Sequence, residues 1–396
     1  MKMKGLPETG LEGKRVLVRV DFNVPLRDGA VSDDSRIRAH LDTIRRLREA
    51  GARISLISHL GRPKGKASPE FSLRPVAYRL AELTGWDVGF VDECMGPLVA
   101  EAVAEARPGS ILVLENVRFH AEEEKNDPNF AKALAEPFDA FVMDAFSAAH
   151  RAHASTEGIT AFLPSYAGIL LCREVEILGQ VRDHPKRPFI LILGGAKVSD
   201  KIGVIGHLLE KVDTLVIGGG MAFTFLKAQG GNVGRSLVEQ DRIGFAENLL
   251  AEAAARNITV YLPEDIVAGE SPDTSGPIEI VPSKAIPEHL MGLDIGPKAA
   301  EAFTRAIAGA STVLWNGPMG VFENPHFAEG TRRIAKSLEE ATAMGCQTVV
   351  GGGDTAAAVG SMGFADKVSH VSTGGGASLE FFEGLPLPGI QPFVLD

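Results

Sequence analysis

The sequence predicts an α/β protein of two Rossmann-like three-layer domains, each with a mostly parallel sheet, facing each other across a cleft. Short apolar runs alternate with helical stretches along the whole chain. In the second half the runs stop in glycine or a polar turn, and in the first half they stop in charge. Finally, 396 residues, 45% of them apolar, exceed what one ordinary core organises.

The runs of the first half are RVLVRVDFN from Arg15, ISLISHLGR from Ile54, ILVLENVR from Ile111 and FVMDAFSAAHR from Phe141. Those of the second half begin at Phe189, Thr214, Thr259, Thr312, Thr348 and Lys367. Short runs rich in Val and Ile between helices read as buried parallel strands. Helices fill the intervals. Residues 33–50 carry Ile37, Leu41, Ile44 and Leu47 at helical spacing, with Asp33 or Asp34 as cap and Gly51 as stop. Residues 198–212 set Val198, Ile202, Ile205, Leu208, Leu209 and Val212 on one face. Residues 170–183 carry a stripe of Leu171, Val175, Leu178 and Val181, ended by Pro185 and Pro188. The expected division is residues 1–170, a linking helix and hinge over 171–188, and residues 189–379. Residues 380–396, with three prolines, are expected as a strap packing back on the first domain.

The formal charge of −11 disfavours nucleic acid and anionic lipid as partners. Three scattered cysteines suit a reducing cytoplasm. No apolar leader and no long apolar span is visible, so neither export nor membrane insertion is expected.

Open parallel sheets bind ligands beyond the carboxyl ends of their strands. In the first half those ends carry Arg36, His59, Arg62, Arg118 and Arg151, with Asp21 and Asn23 able to bind hydroxyls. Arginine forks match phosphate and carboxylate, so a small anion is expected there. His150 and His153 read as hydrogen-bonding residues rather than metal ligands, and the run EEEK over 122–125 as a solvated face. In the second half, glycine clusters at 194–195, 218–220 and 351–353 suit close backbone approach to a nucleotide. Lys197 and Lys201 are expected in the first turn of a helix, where they call for an anion. Asp354 is a hard oxygen ligand for Mg²⁺, and Glu323 an acceptor for a ribose hydroxyl. No phosphate-loop motif of the GxxxxGK[ST] type occurs. Gly351 to Ala356 fit a loose dinucleotide pattern, but no acidic residue ends the following strand, which disfavours an oxidoreductase. A two-lobed binding protein would leave the glycines and both lysines idle.

The motifs together resemble the phosphoglycerate kinase family. They are RVDFNVP (19–25), SHLGRP (58–63), LENVRFH (114–120), DAFSAAHRAH (144–153), LGGAKVSDKI (193–202), GGGMAFTF (218–225), WNGPMGVFE (315–323), GGGDTA (351–356) and STGGGASLE (372–380). They span nearly the whole chain. One departure is visible: Ser147-Ala148 stands where the family commonly shows Gly-Thr, which is expected to alter only the local loop.

The resemblance implies a first domain for 3-phosphoglycerate or 1,3-bisphosphoglycerate, using Asp21, Phe22, Asn23, Arg36, His59, Leu60, Gly61, Arg62, Arg118 and Arg151. It implies a second for ADP or ATP with Mg²⁺, using Gly195, Lys197, Lys201, Gly219, Gly220, Gly292, Leu293, Asn316, Glu323 and Gly352, Gly353, Asp354 and Thr355. Leu293 would line the adenine slot, with 218–223 as its other wall. Gly374 and Gly375 would stabilise phosphate, and Asp354 would hold the metal. Arg36 and Lys201 are expected on the transferring phosphoryl group, with no general base, because the acceptor carboxylate is already ionised. A monomer that closes about a hinge near 170–190 is expected.

Overall fold

The computed structural model describes residues 1–273 and 276–395. It divides into two compact units, Met1–Glu176 joined by residues from Pro386 onward, and Ile177–Leu385.

In the first unit, six parallel strands are β1 (Arg15–Arg19), β2 (Arg53–Ile57), β3 (Val88–Val91), β4 (Ile111–Leu114), β5 (Ala140–Met143) and β6 (Ser165–Ala167). They stand in the order β3-β4-β2-β1-β5-β6. Leu17 of β1 lies opposite Ser55 of β2 and Phe141 of β5. The second unit holds β7 (Phe189–Leu193), β8 (Thr214–Ile217), β9 (Thr259–Tyr261), β10 (Thr312–Asn316), β11 (Gln347–Gly351) and β12 (His370–Val371), in the order β9-β8-β7-β10-β11-β12. Both sheets are parallel throughout. Each unit is therefore an open α/β layer structure. The strand order turns back beside β1 and beside β7, and a crevice opens at such points.

Burial explains the strand choice. All five residues of β7, Phe-Ile-Leu-Ile-Leu, are buried, as are Val16 to Arg19 of β1. Only strands covered on both faces read this way. The helix Pro297–Ile307 illustrates the covering layer. Proline opens it, Ala299, Ala300, Phe303 and Ile307 are buried, and the Asp265 carboxylate accepts from the N–H groups of Lys298 (3.1 Å) and Ala299 (2.8 Å).

Several elements differ from the sequence reading, each for a local reason. Residues 33–50 form two helices, Ser35–Ala39 and Leu41–Glu49, parted at His40 (φ −90°, ψ −6°), whose ring is tied on both sides to other strands' ends. The expected helix 198–212 is only Ile202–Leu208, because the Glu239 carboxylate takes the N–H groups of Val198 (2.5 Å) and Ser199 (3.1 Å) and holds that stretch as turns. Lys197 therefore lies outside any helix and Lys201 sits at the position before one. The run from Thr259 is two strands. Pro263 separates β9 from Asp265–Gly269, which is the centre of a three-stranded antiparallel sheet with Glu279–Pro282 and Met291–Ile295. Glu123, in the run read as solvated, is fully buried.

The helix Ile169–Asp183 spans the division between the units and buries Leu171, Val175, Leu178 and Val181. Glu380 to Phe382 end the second unit's last helix, and the chain returns to the first unit at Pro386. There Gly389 N–H donates to Ala149 (2.8 Å), and Val394–Leu395 pair antiparallel with Lys2–Met3. Among the described residues, no helix is long and apolar enough to cross a membrane.

Trp315 of β10 is fully buried, and its indole N–H donates to Gly317 O at 2.8 Å. Trp315→Ala is expected to destabilise the second unit by ~3–5 kcal/mol, measured as a shift of the urea midpoint.

Candidate active site

In the first unit the expected anion-site residues lie beyond β1, β2, β4 and β5. Asp21 follows β1 and is buried. Its Oδ2 accepts from the Arg36 guanidinium and from the Ser147 hydroxyl. Burial works to raise the Asp21 pKa. Arg36, the Ser147 hydroxyl and Arg19 work against it, and the carboxyl stays below its ordinary value. Asn23 Oδ1 accepts from Gly61 N–H at 2.8 Å, and Arg118 donates to Gly61 O at 2.9 Å and pairs with Glu124 at 3.2 Å. Burial lowers the Arg118 pKa, and Arg151 and Arg62 repel it further against the pull of Glu124. Arg62 is exposed and Arg151 half-buried. Phe22 and Leu60 are different. Both side chains lie in the core, Phe22 N–H is taken by Ser58 Oγ (2.8 Å) and Leu60 O by Asn116 (2.7 Å). Both side chains support the site from beneath.

Three residues that the sequence reading left out organise this region. Arg19 is 1% exposed in the middle strand β1. Its Nε donates to Ser155 Oγ (2.8 Å), and a terminal nitrogen lies 3.2 Å from His59 Nδ1. Ser155 in turn donates through its hydroxyl and its N–H (2.9 Å) to the buried Glu123. An arginine inside an otherwise apolar run is the signal that could have found this network, since arginine is almost never buried unpaired. Ser147, expected to matter only to the loop, bonds directly to Asp21. Burial holds His59 well below its ordinary pKa. Burial, reinforced by neighbouring arginines, brings His150 and His153 to about 4. These rings are neutral at pH 7, so the positive charge here is arginine's.

In the second unit a cavity of about 350 Å³ opens beyond β7, β8 and β10. Gly219, Gly220 and Phe223 line it, with Gly292 and Leu293. Gly195, Glu323 and Asp354 also reach it. The turns after the three strands cross almost in contact. A Cβ on Gly219 (φ +61°) would lie 2.6 Å from Gly195 N. A Cβ on Gly292 would lie 2.1 Å from the Phe223 ring. This is the close approach for which only glycine suffices.

At the polar end of this region, Lys201 is 8% exposed and donates to Asn316 Oδ1. Burial lowers its pKa, against the pull of Asp200, Asp354 and Glu383. Asn316 Nδ2 is a buried donor with no hydrogen-bond partner. It points at Gly352 (φ +90°), 2.9 Å from where a Cβ would stand. Gly352 precedes the helix Gly353–Ser361, whose first N–H groups have no helical acceptor. An orphaned donor, a buried ammonium and a helix start together fit a phosphate. Asp354 is exposed in that first turn. Thr355 is buried, and its hydroxyl accepts from Gly317 N–H (2.7 Å), so it braces the turn. Gly375 (φ +52°) and Gly374 precede the helix Gly376–Phe382, away from the cavity lining. Lys197 is exposed and likewise outside that lining. The sequence reading missed Asp294, in the cavity wall. Burial pushes it up to about 8 against the N–H groups of Gly330 (2.7 Å) and Ile295 (2.9 Å). Among the described residues, no group of three or more His, Cys, Asp or Glu side chains could by itself hold a metal ion.

The model of one protein family, described as phosphoglycerate kinase, matches residues 6–385. The chain belongs to that family. Curated phosphoglycerate kinases are similar over nearly their whole length. The one from Moorella thermoacetica is 55% identical over 97% of each chain, and the one from Pelotomaculum thermopropionicum 53% identical over 100% of each. The solved phosphoglycerate kinase of Coxiella burnetii is 39% identical, covers 99% of this chain with 98% of its own, and superposes with a TM-score of 0.88. That of Pyrococcus horikoshii is 32% identical, with 98% of each chain covered and a TM-score of 0.86. The chain is an enzyme, a kinase of two α/β units.

Gly292→Ala would drive a methyl group into the Phe223 ring. The expected result is a rise of roughly tenfold or more in KM for the nucleotide with KM for the second substrate unchanged, read from initial rates.

Proposed function

We propose that the chain catalyses the reversible transfer of a phosphoryl group between 1,3-bisphosphoglycerate and ADP, giving 3-phosphoglycerate and ATP. The observation that carries this reading is the Lys201–Asn316 pair beside Gly352, where a buried ammonium and an unpartnered amide converge on a helix start. The glycerate would lie against Asp21, Asn23, Arg36, His59, Gly61, Arg62, Arg118 and Arg151, and the nucleotide base between Gly219–Gly220 and Gly292–Leu293. Glu323 would accept from the ribose.

The acceptor carboxylate and ADP are both ionised at neutral pH, so the chain needs no general base in either direction. What it must supply is position and compensating charge for an in-line transfer. The Arg36 side chain is 40% exposed while anchored on Asp21, which would leave its remaining N–H groups for the transferring group. Lys201 and Asn316 Nδ2 would serve the same group from the nucleotide side, and Gly352 and Gly353 the neighbouring phosphates. Asp354 would hold Mg²⁺, and the ion would neutralise phosphate charge. The two substrates would bind to different units, so the transfer would bring the two sites together, which would also keep water from the acyl phosphate. The reading includes a monomer working in the cytoplasm.

A coupled assay with 3-phosphoglycerate, ATP and Mg²⁺ tests the reaction. Turnover that needs all three supports it, and folded protein that binds ATP without turnover rejects it. Lys201→Ala is expected to lower kcat by ~10²–10³-fold, and near-normal turnover would remove Lys201 from the mechanism.

The pH profile gives a second check. Because the Lys201 pKa is lowered by burial, its charge is present at low pH and lost as pH rises. The alkaline limb of kcat/KM should therefore fall below the ~10.4 of an ordinary lysine.

A further inference from the structure

His40 parts two helices, is 2% exposed and joins two groups that belong to different functions. Its Nε2 lies 2.9 Å from the backbone nitrogen of Asp21. A backbone N–H can only donate, so Nε2 is the acceptor and the ring's proton sits on Nδ1. Nδ1 lies 2.7 Å from Asp144 Oδ2 and donates to it.

Asp144 is completely buried at the end of β5. Its Oδ1 accepts from Thr43 Oγ1 (2.9 Å) and from Leu170 N–H (3.0 Å), with Leu171 N–H at 3.4 Å. Thr43 Oγ1 accepts from Ile169 N–H at 2.9 Å. These are the first three N–H groups of the helix Ile169–Asp183, which no turn of its own can satisfy. The fit is close, since a Cβ on Gly168 would lie 2.1 Å from Asp144 Oδ1. That helix carries the chain out of the first unit, which ends at Glu176.

An unbroken run of buried hydrogen bonds thus links Asp21, through His40 and Asp144, to the helix start. No other side chain could make both bonds of His40 in place. Asn or Gln can reproduce one of the two reaches but not both.

We propose that His40 is a positioning residue for the transfer reaction: it fixes the Asp21 turn to the start of helix Ile169–Asp183, so that filling the glycerate site is felt at the helix leading into the nucleotide unit. The proposal rests on the function proposed above. Its thermodynamic content is a coupling, in which 3-phosphoglycerate changes the affinity for MgADP and MgADP changes that for 3-phosphoglycerate by the same factor.

The test uses the full chain and two variants. Binding of MgADP is measured by calorimetry with and without saturating 3-phosphoglycerate, and the ratio of the two Kd values is the readout. Wild type should give a ratio different from one. His40→Ala should weaken 3-phosphoglycerate by roughly tenfold, leave MgADP alone within about twofold, and bring the ratio toward one. Thr43→Val keeps the link to Asp21 and removes one tie at the helix end, the acceptor of Ile169 N–H, while Asp144 still takes Leu170 N–H. It should hold 3-phosphoglycerate affinity within about twofold and still bring the ratio part of the way toward one, which a general loss of stability would not produce. The proposal is overturned if both folded variants keep the wild-type ratio, or if the wild-type ratio is one. Wild type that turns over while the variants behave normally sinks the relay alone. Wild type that neither binds 3-phosphoglycerate nor turns over sinks the functional reading and the relay with it.

Discussion

Both sheets are covered on both faces, and most of what the molecule can do follows from that constraint. A strand buried on two sides has no room for water, so a polar side chain within it must find every partner inside the protein. Residues such as Ile190 to Leu193 accept this by being apolar throughout. Hydrogen-bonding chemistry is left to the carboxyl ends, where β1 and β7 diverge from their neighbours. Arg19 is the last residue of β1, and its charge is buried at that carboxyl end. It persists because Ser155, Glu123, His59 and the Val20 carbonyl surround its charge.

The two units meet the same requirement with different materials. In the first, side chains carry the charge, and a buried carboxylate layer of Asp21 and Glu123 keeps the arginines from repelling one another without relief. Neutral His59, His150 and His153 add shape and donors with no further charge. In the second, the backbone carries the chemistry. Glycines at 194, 219 and 317 let three turns cross at distances that any Cβ would forbid. Among the charged side chains there, Lys201 is buried while Asp354 and Glu323 are exposed.

Long apolar runs were legible because two-sided burial writes itself into consecutive residues, and the ends of those runs pointed to the sites. Val88–Val91 and Ser165–Ala167 were not legible as strands. The first is interrupted by Gly89, and the second is three residues long at a sheet edge. The helix expected over 198–212 failed because periodicity sees only apolar positions, while Glu239, forty residues away, decides where its N–H groups go. His40 read as an ordinary helix residue and Glu123 as part of a solvated face for the same reason: their partners are distant in sequence. The arginines and glycines at strand ends were visible individually, whereas the bond from Ser147 to Asp21 required the fold.

The return of residues 386–395 onto the first unit makes the second unit an insertion in it. Synthesis runs the other way from this architecture. The contiguous residues 177–385 can complete their core as soon as they emerge from the ribosome. The first unit is made first, yet waits for Phe393 and the pairing of Val394–Leu395 with Lys2–Met3, which come last. Until then Lys2–Met3 lacks its partner strand, so the first unit's fold cannot be complete before residues 386–395 have been made.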